Sequence, residues 1–293
     1  MFIAIFNTVA PILACALVGY VWARRGLPFE SVFLTRLVTN VGFPCLIFHT
    51  LIKVEVSGEV LFLMGLAAFL TTTLFAVIAA SILKAANLDI RTYLPSMTFA
   101  NTGNMGLSLC LLAFGPQGLA LGIGYFTANA VMVFVFGPAI ASGNPSITSA
   151  LKVPVFWATI AAVGVMYTDA EMPFWIMRSL ELLGGFAIPL MLITLGVSLA
   201  DLEVDSLGRS IGLSVLRLGM GFAVGWGAAE LMGFEGVARG VVIIECAMPA
   251  AVFNYMFAQM YETRPTEVAG VVMVSTLMSF LTMPLLLWFV MNP

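Results

Sequence analysis

The sequence predicts an all-α membrane protein of ten transmembrane helices, arranged as two inverted five-helix repeats with broken, crossing helices four and nine. Three observations predict it. Hydrophobic residues make up 61% of the 293 and charged residues only 9%, against about 45–50% and about 25% in a soluble domain. Mean hydropathy is +1.07, so the charges are too few to coat a globule in water and most of the exterior faces lipid. The apolar sequence divides into ten span-length segments, and matching features recur half a chain apart. This composition excludes a soluble enzyme and a disordered tail protein. Twelve Lys+Arg against 15 Asp+Glu, a net charge of −3, leave no basic patch for nucleic acid.

A spanning helix needs about 20 mostly apolar residues. Helix one, Phe2–Ala23, precedes the first charge, Arg24, and lacks the charged n-region of a cleaved signal, so it reads as retained. Helices two and three are Ser31–Ile52 and Val60–Leu83. Thr92–Leu151 carries no charge and is too long for one helix; Gly115-Pro116-Gln117-Gly118 supplies the turn between Tyr93–Phe114 and Gly118–Ala141. The second half runs Val153–Tyr167, Arg178–Ala200, Ser210–Leu231, Arg239–Tyr261 and Val268–Met291. With ten spans, Arg24, Arg25, Arg36, Lys84, Arg91, Lys152, Arg209, Arg217 and Arg264 fall on one side, and Lys53, Arg178 and Arg239 on the other. The positive-inside bias places the first side in the cytoplasm. The expectation is a multi-pass protein of the cell (inner) membrane with both termini on the outer side.

Val18-Gly19 and Val163-Gly164 are 145 residues apart, as are Pro44 and Pro189, and at that offset Asn104 falls on Pro249. The domains expected are a first repeat at 1–141, a short cytoplasmic linker at 142–152 and an inverted second repeat at 153–293, as in inverted-repeat carriers. Each repeat's fourth span is abnormal. Span four reads Phe99-Ala100-Asn101-Thr102-Gly103-Asn104-Met105-Gly106, and span nine reads Glu245-Cys246-Ala247-Met248-Pro249-Ala250-Ala251 followed by Asn254. Gly costs a helix about 1 kcal/mol and Pro about 3. Such sequences persist at membrane depth where protein buries them or where they line a watery cavity.

A broken helix presents free N–H groups and a partial positive charge at its new N-terminus, which suits a carboxylate. The candidate binding residues are Asn101, Thr102, Gly103, Asn104, Gly106, Met248, Pro249 and Asn254, joined by Asn40 and Asn129 from spans two and five. Close helix packing with amide cross-links is the competing explanation of the Asn and Gly cluster. Glu245 is the acidic residue well inside a span, a candidate proton carrier or cation ligand; the competing reading sets it at the outer interface, bonded to loop groups. Arg217 is read near the cytoplasmic end of its span, and the single His49 as interfacial. Cys15, Cys45, Cys110 and Cys246 lie in apolar segments and read as small hydrophobes. No catalytic constellation, metal site or cofactor is expected.

The residues quoted also resemble a known family, the auxin efflux carrier family of permeases, which includes bacterial members and the plant auxin carriers. The likeness runs from Pro11-Ile12-Leu13 and Leu17-Val18-Gly19-Tyr20 through Arg24-Arg25-Gly26 and Asn40…Pro44. It continues in Asn101-Thr102-Gly103-Asn104-Met105-Gly106-Leu107 and Phe126-Thr127-Ala128-Asn129. The resemblance implies ten helices, a scaffold part, and a transport part whose fourth and ninth helices cross at the site. It also implies a small organic anion as substrate, auxin in plants and dicarboxylates such as malonate in some bacterial relatives, and a possible homodimer through the scaffold. The chain departs from the plant pattern in having Pro only at 249 and in lacking a long central loop, which argues against auxin itself.

The function expected is a secondary transporter of a small mono- or dicarboxylate working by alternating access. A proton- or sodium-coupled symporter of the bile-acid-transporter type is the alternative. A non-transporting receptor lacks a soluble domain to relay its signal, and an intramembrane enzyme lacks its constellation.

Overall fold

The computed structural model describes residues 2–54, 56–143, 154–168, 171–201 and 206–291. The expected linker at 142–152 lies outside the described residues beyond Gly143, as does Lys152. The described chain is helical, with no strand among the described residues. Its elements are α1 (Phe2–Arg24), α2 (Ser31–Leu37), a π turn (Val38–Gly42), α3 (Phe43–Lys53), α4 (Gly58–Ala85) and α5 (Ile90–Thr98). A second π turn (Thr102–Gly106), α6 (Leu107–Ser142), α7 (Pro154–Thr168), α8 (Phe174–Gly185) and α9 (Ala187–Asp201) follow. The remainder is α10 (Leu207–Leu231), α11 (Gly236–Cys246), α12 (Val252–Met260) and α13 (Pro265–Met291). Among the described residues, six stretches are by themselves long and apolar enough to cross a membrane: Ser31–Lys53, Gly58–Ala85, Thr102–Ser142, Phe174–Ala200, Leu207–Leu231 and Pro265–Met291.

Two expected spans differ here from uninterrupted rods, each for a local reason, and the turn expected at Gly115 falls inside α6. Pro44 has no N–H for the carbonyl of Asn40, and the chain widens into the π turn Val38–Gly42 just before it. Pro189 likewise leaves the Gly185 carbonyl without its helical donor, and α8 ends there before α9 resumes. α6 is continuous in name only: Gly115 sits at φ 66, ψ −157, a conformation open to glycine alone. The chain folds back at that point. Asn129 reaches Thr102, its Nδ2 donating to the hydroxyl at 2.8 Å, whereas a straight helix would hold these residues about 40 Å apart.

The helices pack through a shared apolar core that includes Ile12, Ile47, Met64, Phe75, Met105, Val242 and Val272. α1 and α9 approach backbone to backbone: a Cβ on Gly196 would lie 1.8 Å from the Ala16 carbonyl oxygen. Small residues allow that contact where no hydrophobic drive separates protein from lipid.

Arg217 requires a correction. It is not near the end of its span but ten residues into α10, and its side chain is 0% exposed. Its Nη2 donates to the Cys246 carbonyl at 3.2 Å, and its Cζ lies 4.7 Å from the Phe75 ring centroid. Cys246 ends α11, whose last carbonyls have no helical donors. A guanidinium satisfies that negative pole, and the ring face shields the charge.

Candidate functional site

The two interrupted segments meet inside the protein. α5 stops at Thr98 because Phe99 turns extended, with φ −97 and ψ 108, and helix resumes at Thr102. α11 stops at Cys246, and α12 begins after Ala251, which is extended at φ −69 and ψ 144. Ala100 and Ala250 then pair as a single antiparallel bridge. Asn101 N donates to the Pro249 carbonyl at 2.8 Å, and Ala251 N donates to the Phe99 carbonyl at 3.0 Å. The Asn254 amide adds a bond to the same Phe99 oxygen at 3.0 Å, and Ala250 N donates to Ser275 Oγ at 3.2 Å. Backbone groups that would each cost several kcal/mol unpaired in an apolar interior are thus satisfied.

Two cavities flank this crossing. A small one of about 40 Å³ is lined by Ala100, Asn101, Thr102, Gly103, Asn104 and Asn129, and walled by Phe43, Phe126, Phe134 and Phe253. It has room for one or two waters. A larger one of about 390 Å³ is lined by Ser31, Val32, Thr35 and Arg36 of α2, Met191, Thr194, Leu195 and Ser198 of α9, and Val252, Phe253, Tyr255, Met256 and Gln259 of α12. Asn104 and Phe253 line both. The edge-to-face pair of Phe134 and Phe253, with centroids 5.3 Å apart, forms part of the partition.

The predicted residues divide by role. Asn101, Thr102, Gly103, Asn104 and Asn129 share the small cavity. Asn129 is occupied by protein, donating to Thr102 and accepting from Thr72 Oγ1 at 3.2 Å. Asn101 is 4% exposed and its Nδ2 has no partner. The Asn104 side chain has no protein hydrogen bond among the described residues, which leaves its amide to the cavities. Pro249 acts through its carbonyl, while buried Met248 and Asn254 lie at the second break outside both cavity walls. Asn40 stands apart: it is exposed, outside both walls, and its Nδ2 donates to the Arg36 carbonyl at 2.8 Å. Gly106 faces Glu245 rather than a cavity, and Glu245 is 0% exposed, set against Gly106 and Gly122.

Arg36, Thr35, Thr194, Ser198, Tyr255 and Gln259 were not singled out from sequence, yet a signal was there. Met191, Thr194, Leu195 and Ser198 fall at i, i+3, i+4 and i+7, as do Val252, Tyr255, Met256 and Gln259. That spacing is one face of a helix. In each case polar side chains alternate with apolar ones along it, as befits a wall facing water rather than lipid.

A family model described as a membrane transport protein matches residues 4–144 and again 139–287. An uncharacterized transporter of Methanothermobacter thermautotrophicus is 28% identical over 298 residues, covering 97% of this chain and 98% of that protein. An uncharacterized transporter of Methanocaldococcus jannaschii is 25% identical over 306 residues, covering 98% and 99%. The chain belongs to the membrane transport protein family, the auxin efflux carrier family its motifs resemble, and is a multi-pass membrane transporter rather than an enzyme.

Proposed function

We propose that this transporter is a secondary carrier for a small organic anion, a mono- or dicarboxylate, bound where the two broken helices cross and moved by alternating access. The observation that carries this reading is Asn104. It opens the second helical segment after the first break and lines both cavities, so one polar side chain borders both compartments. The N–H groups of Thr102, Gly103 and Asn104 precede the first helical bonds of the π turn, made by Met105 and Gly106, and bring a partial positive charge to the same spot. Asn101 adds a buried, unpartnered amide donor.

The two family matches, each about half the chain, support a reading of two five-helix repeats at 1–141 and 153–293, inverted with respect to each other. In that reading α5 with the adjoining arm of α6, and α11 with α12, are helices four and nine, each too interrupted to count as a span by length. The larger cavity is bordered by Arg36, Ser198 and Gln259, from helix ends that basic loops mark as cytoplasmic. In that reading the larger cavity opens to the cytoplasm, with Arg36 the first cation an entering anion meets. An inside-negative potential favours outward movement of an anion by about 2.3 kcal/mol per charge per 100 mV.

The test is counterflow of labelled malonate and of labelled indole acetate in liposomes containing the purified protein. Exchange of a carboxylate by wild type, lost in Asn104→Leu with an unchanged melting temperature, is the expected result. A folded wild type that exchanges no carboxylate overturns the reading.

A further inference from the structure

Beside the crossing, outside the walls of both cavities, lies a carboxyl group that the substrate site does not use. Glu245 sits in the last turn of α11 and is 0% exposed. Oε1 accepts from the Cys110 thiol at 3.6 Å, while Oε2 has no partner. Both oxygens fit a slot made by two glycines. A Cβ on Gly106 would lie 2.1 Å from Oε2, and one on Gly122 would lie 3.2 Å from Oε1. Gly106 ends the π turn that carries Asn104. The carboxyl abuts this five-residue turn at Gly106, while Thr102, Gly103 and Asn104 of the same turn line the cavities.

The other ionisable groups of this layer are the Cys110 thiol and Tyr125 hydroxyl of α6, the Cys246 thiol of α11, and the Arg217 guanidinium of α10. Tyr125 is spent on Thr71 at 2.7 Å and Cys246 at 3.2 Å, and Arg217 on the Cys246 carbonyl. α4 and α13 bring Thr71, Phe75 and Ser275, none of which ionises. A hard divalent cation takes about six or more oxygen ligands. Among the described residues, no group of three or more His, Cys, Asp or Glu side chains is placed to hold a metal ion. A proton needs one free oxygen, and Oε2 is one.

We propose that Glu245 is a proton-binding site coupled to the anion site through the Gly106 turn, making the carrier a proton–anion symporter. This rests on the carrier reading above. The carboxylate takes one H⁺ from water on the side where the anion enters, forming one O–H bond, and returns that H⁺ to water on the other side. Because both ligands bear on the same turn, each changes the other's affinity by the same factor.

The experiment measures protons taken up per malonate bound, using purified protein in weakly buffered detergent at mildly alkaline pH, where free malonate carries both charges. Wild type takes up about one proton per malonate and Glu245→Gln takes up none. In liposomes, each unit of pH gradient drives about tenfold accumulation by wild type for one proton per anion, and none by the variant. Gly122→Ala retains the carboxyl but crowds Oε1; it displaces the midpoint of the pH dependence, which supplies the test if Glu245→Gln does not fold. Counterflow by wild type without proton uptake, uptake that needs sodium and ignores the pH gradient, or proton uptake unchanged in Glu245→Gln each overturns the proposal. Absence of any counterflow by wild type sinks the carrier reading, and this proposal with it.

Discussion

The two breaks meet at one bridge, yet they are built differently. The first, Phe99–Asn101 running into the π turn, carries Asn101, Thr102 and Asn104 and gives side chains to both cavities. The second, Ala247–Ala251, is lined by small and apolar residues and contributes mainly carbonyls and N–H groups. Pro249 O receives Asn101, and Cys246 O receives Arg217. The first break presents polar side chains to the cavities and the second holds it in place. A duplicated fold has kept the interruption in both halves while placing the polar side chains in one.

The strongest way to break this contrast is to press on the support. A Cβ on Gly221 of α10 would lie 2.4 Å from the Cys246 carbonyl oxygen, which as backbone cannot step aside. Gly221→Ala is expected to cost about 3 kcal/mol of stability, read as a lowered melting temperature in detergent. The matching substitution at the first break, Gly103→Ala, meets only the Phe126 ring edge at 2.8 Å. A rotating side chain relieves that contact, so the cost stays within about 1 kcal/mol. Equal losses at the two positions would erase the distinction between support and site.

Second in size is the ligand response. Asn104→Leu removes the donor bordering both cavities and is expected to weaken malonate binding by about 30-fold, or about 2 kcal/mol. The measurement is malonate-dependent thermal stabilisation. Pro249→Ala restores an N–H but leaves the Pro249 carbonyl bond in place, so binding should change by less than about threefold, roughly 0.6 kcal/mol. A ligand response lost at 249 and kept at 104 would reverse the roles assigned here.

How much of this was legible follows from which forces act locally. Two Asn and two Gly within Asn101–Gly106, and Pro249 in an apolar run, are penalties any helix feels, so both interruptions could be read from composition. That the two would cross was also expected; which residues pair across them was not legible. The half-chain offset sets Asn104 opposite Pro249, but the segments run antiparallel, and Ala100 faces Ala250. Arg217 was misplaced because a charge in an apolar helix reads as an end marker, and only the packed structure brings Phe75 and the Cys246 carbonyl to it. Arg36 and Gln259 were passed over for a related reason. A cavity wall is assembled from three helices whose rotations depend on one another, and a half-polar face on any single one is equally suited to a headgroup.

Two smaller effects sharpen the contrast. Asn254→Ala removes one neutral bond, from its amide to the Phe99 carbonyl, together with an unpartnered Oδ1. The loss and the relief partly cancel, leaving about 1 kcal/mol of destabilisation and a malonate response that scales with stability alone. A response lost outright in a well-folded Asn254→Ala would move part of the binding surface onto the second break.

The smallest effect belongs to Arg36, exposed at the mouth of the larger cavity. Water and salt screen a charge in that position, so Arg36→Gln is expected to weaken malonate binding by about two- to threefold, roughly 0.5 kcal/mol. The sign of its role shows in ionic strength. Wild-type affinity should fall as salt is raised through the range where the Debye length shrinks from about 30 Å to about 10 Å, and the variant should be nearly flat. Equal salt slopes would mean that the anion is drawn in by the helical amide poles alone, and that Arg36 serves the positive-inside orientation without touching the ligand's path.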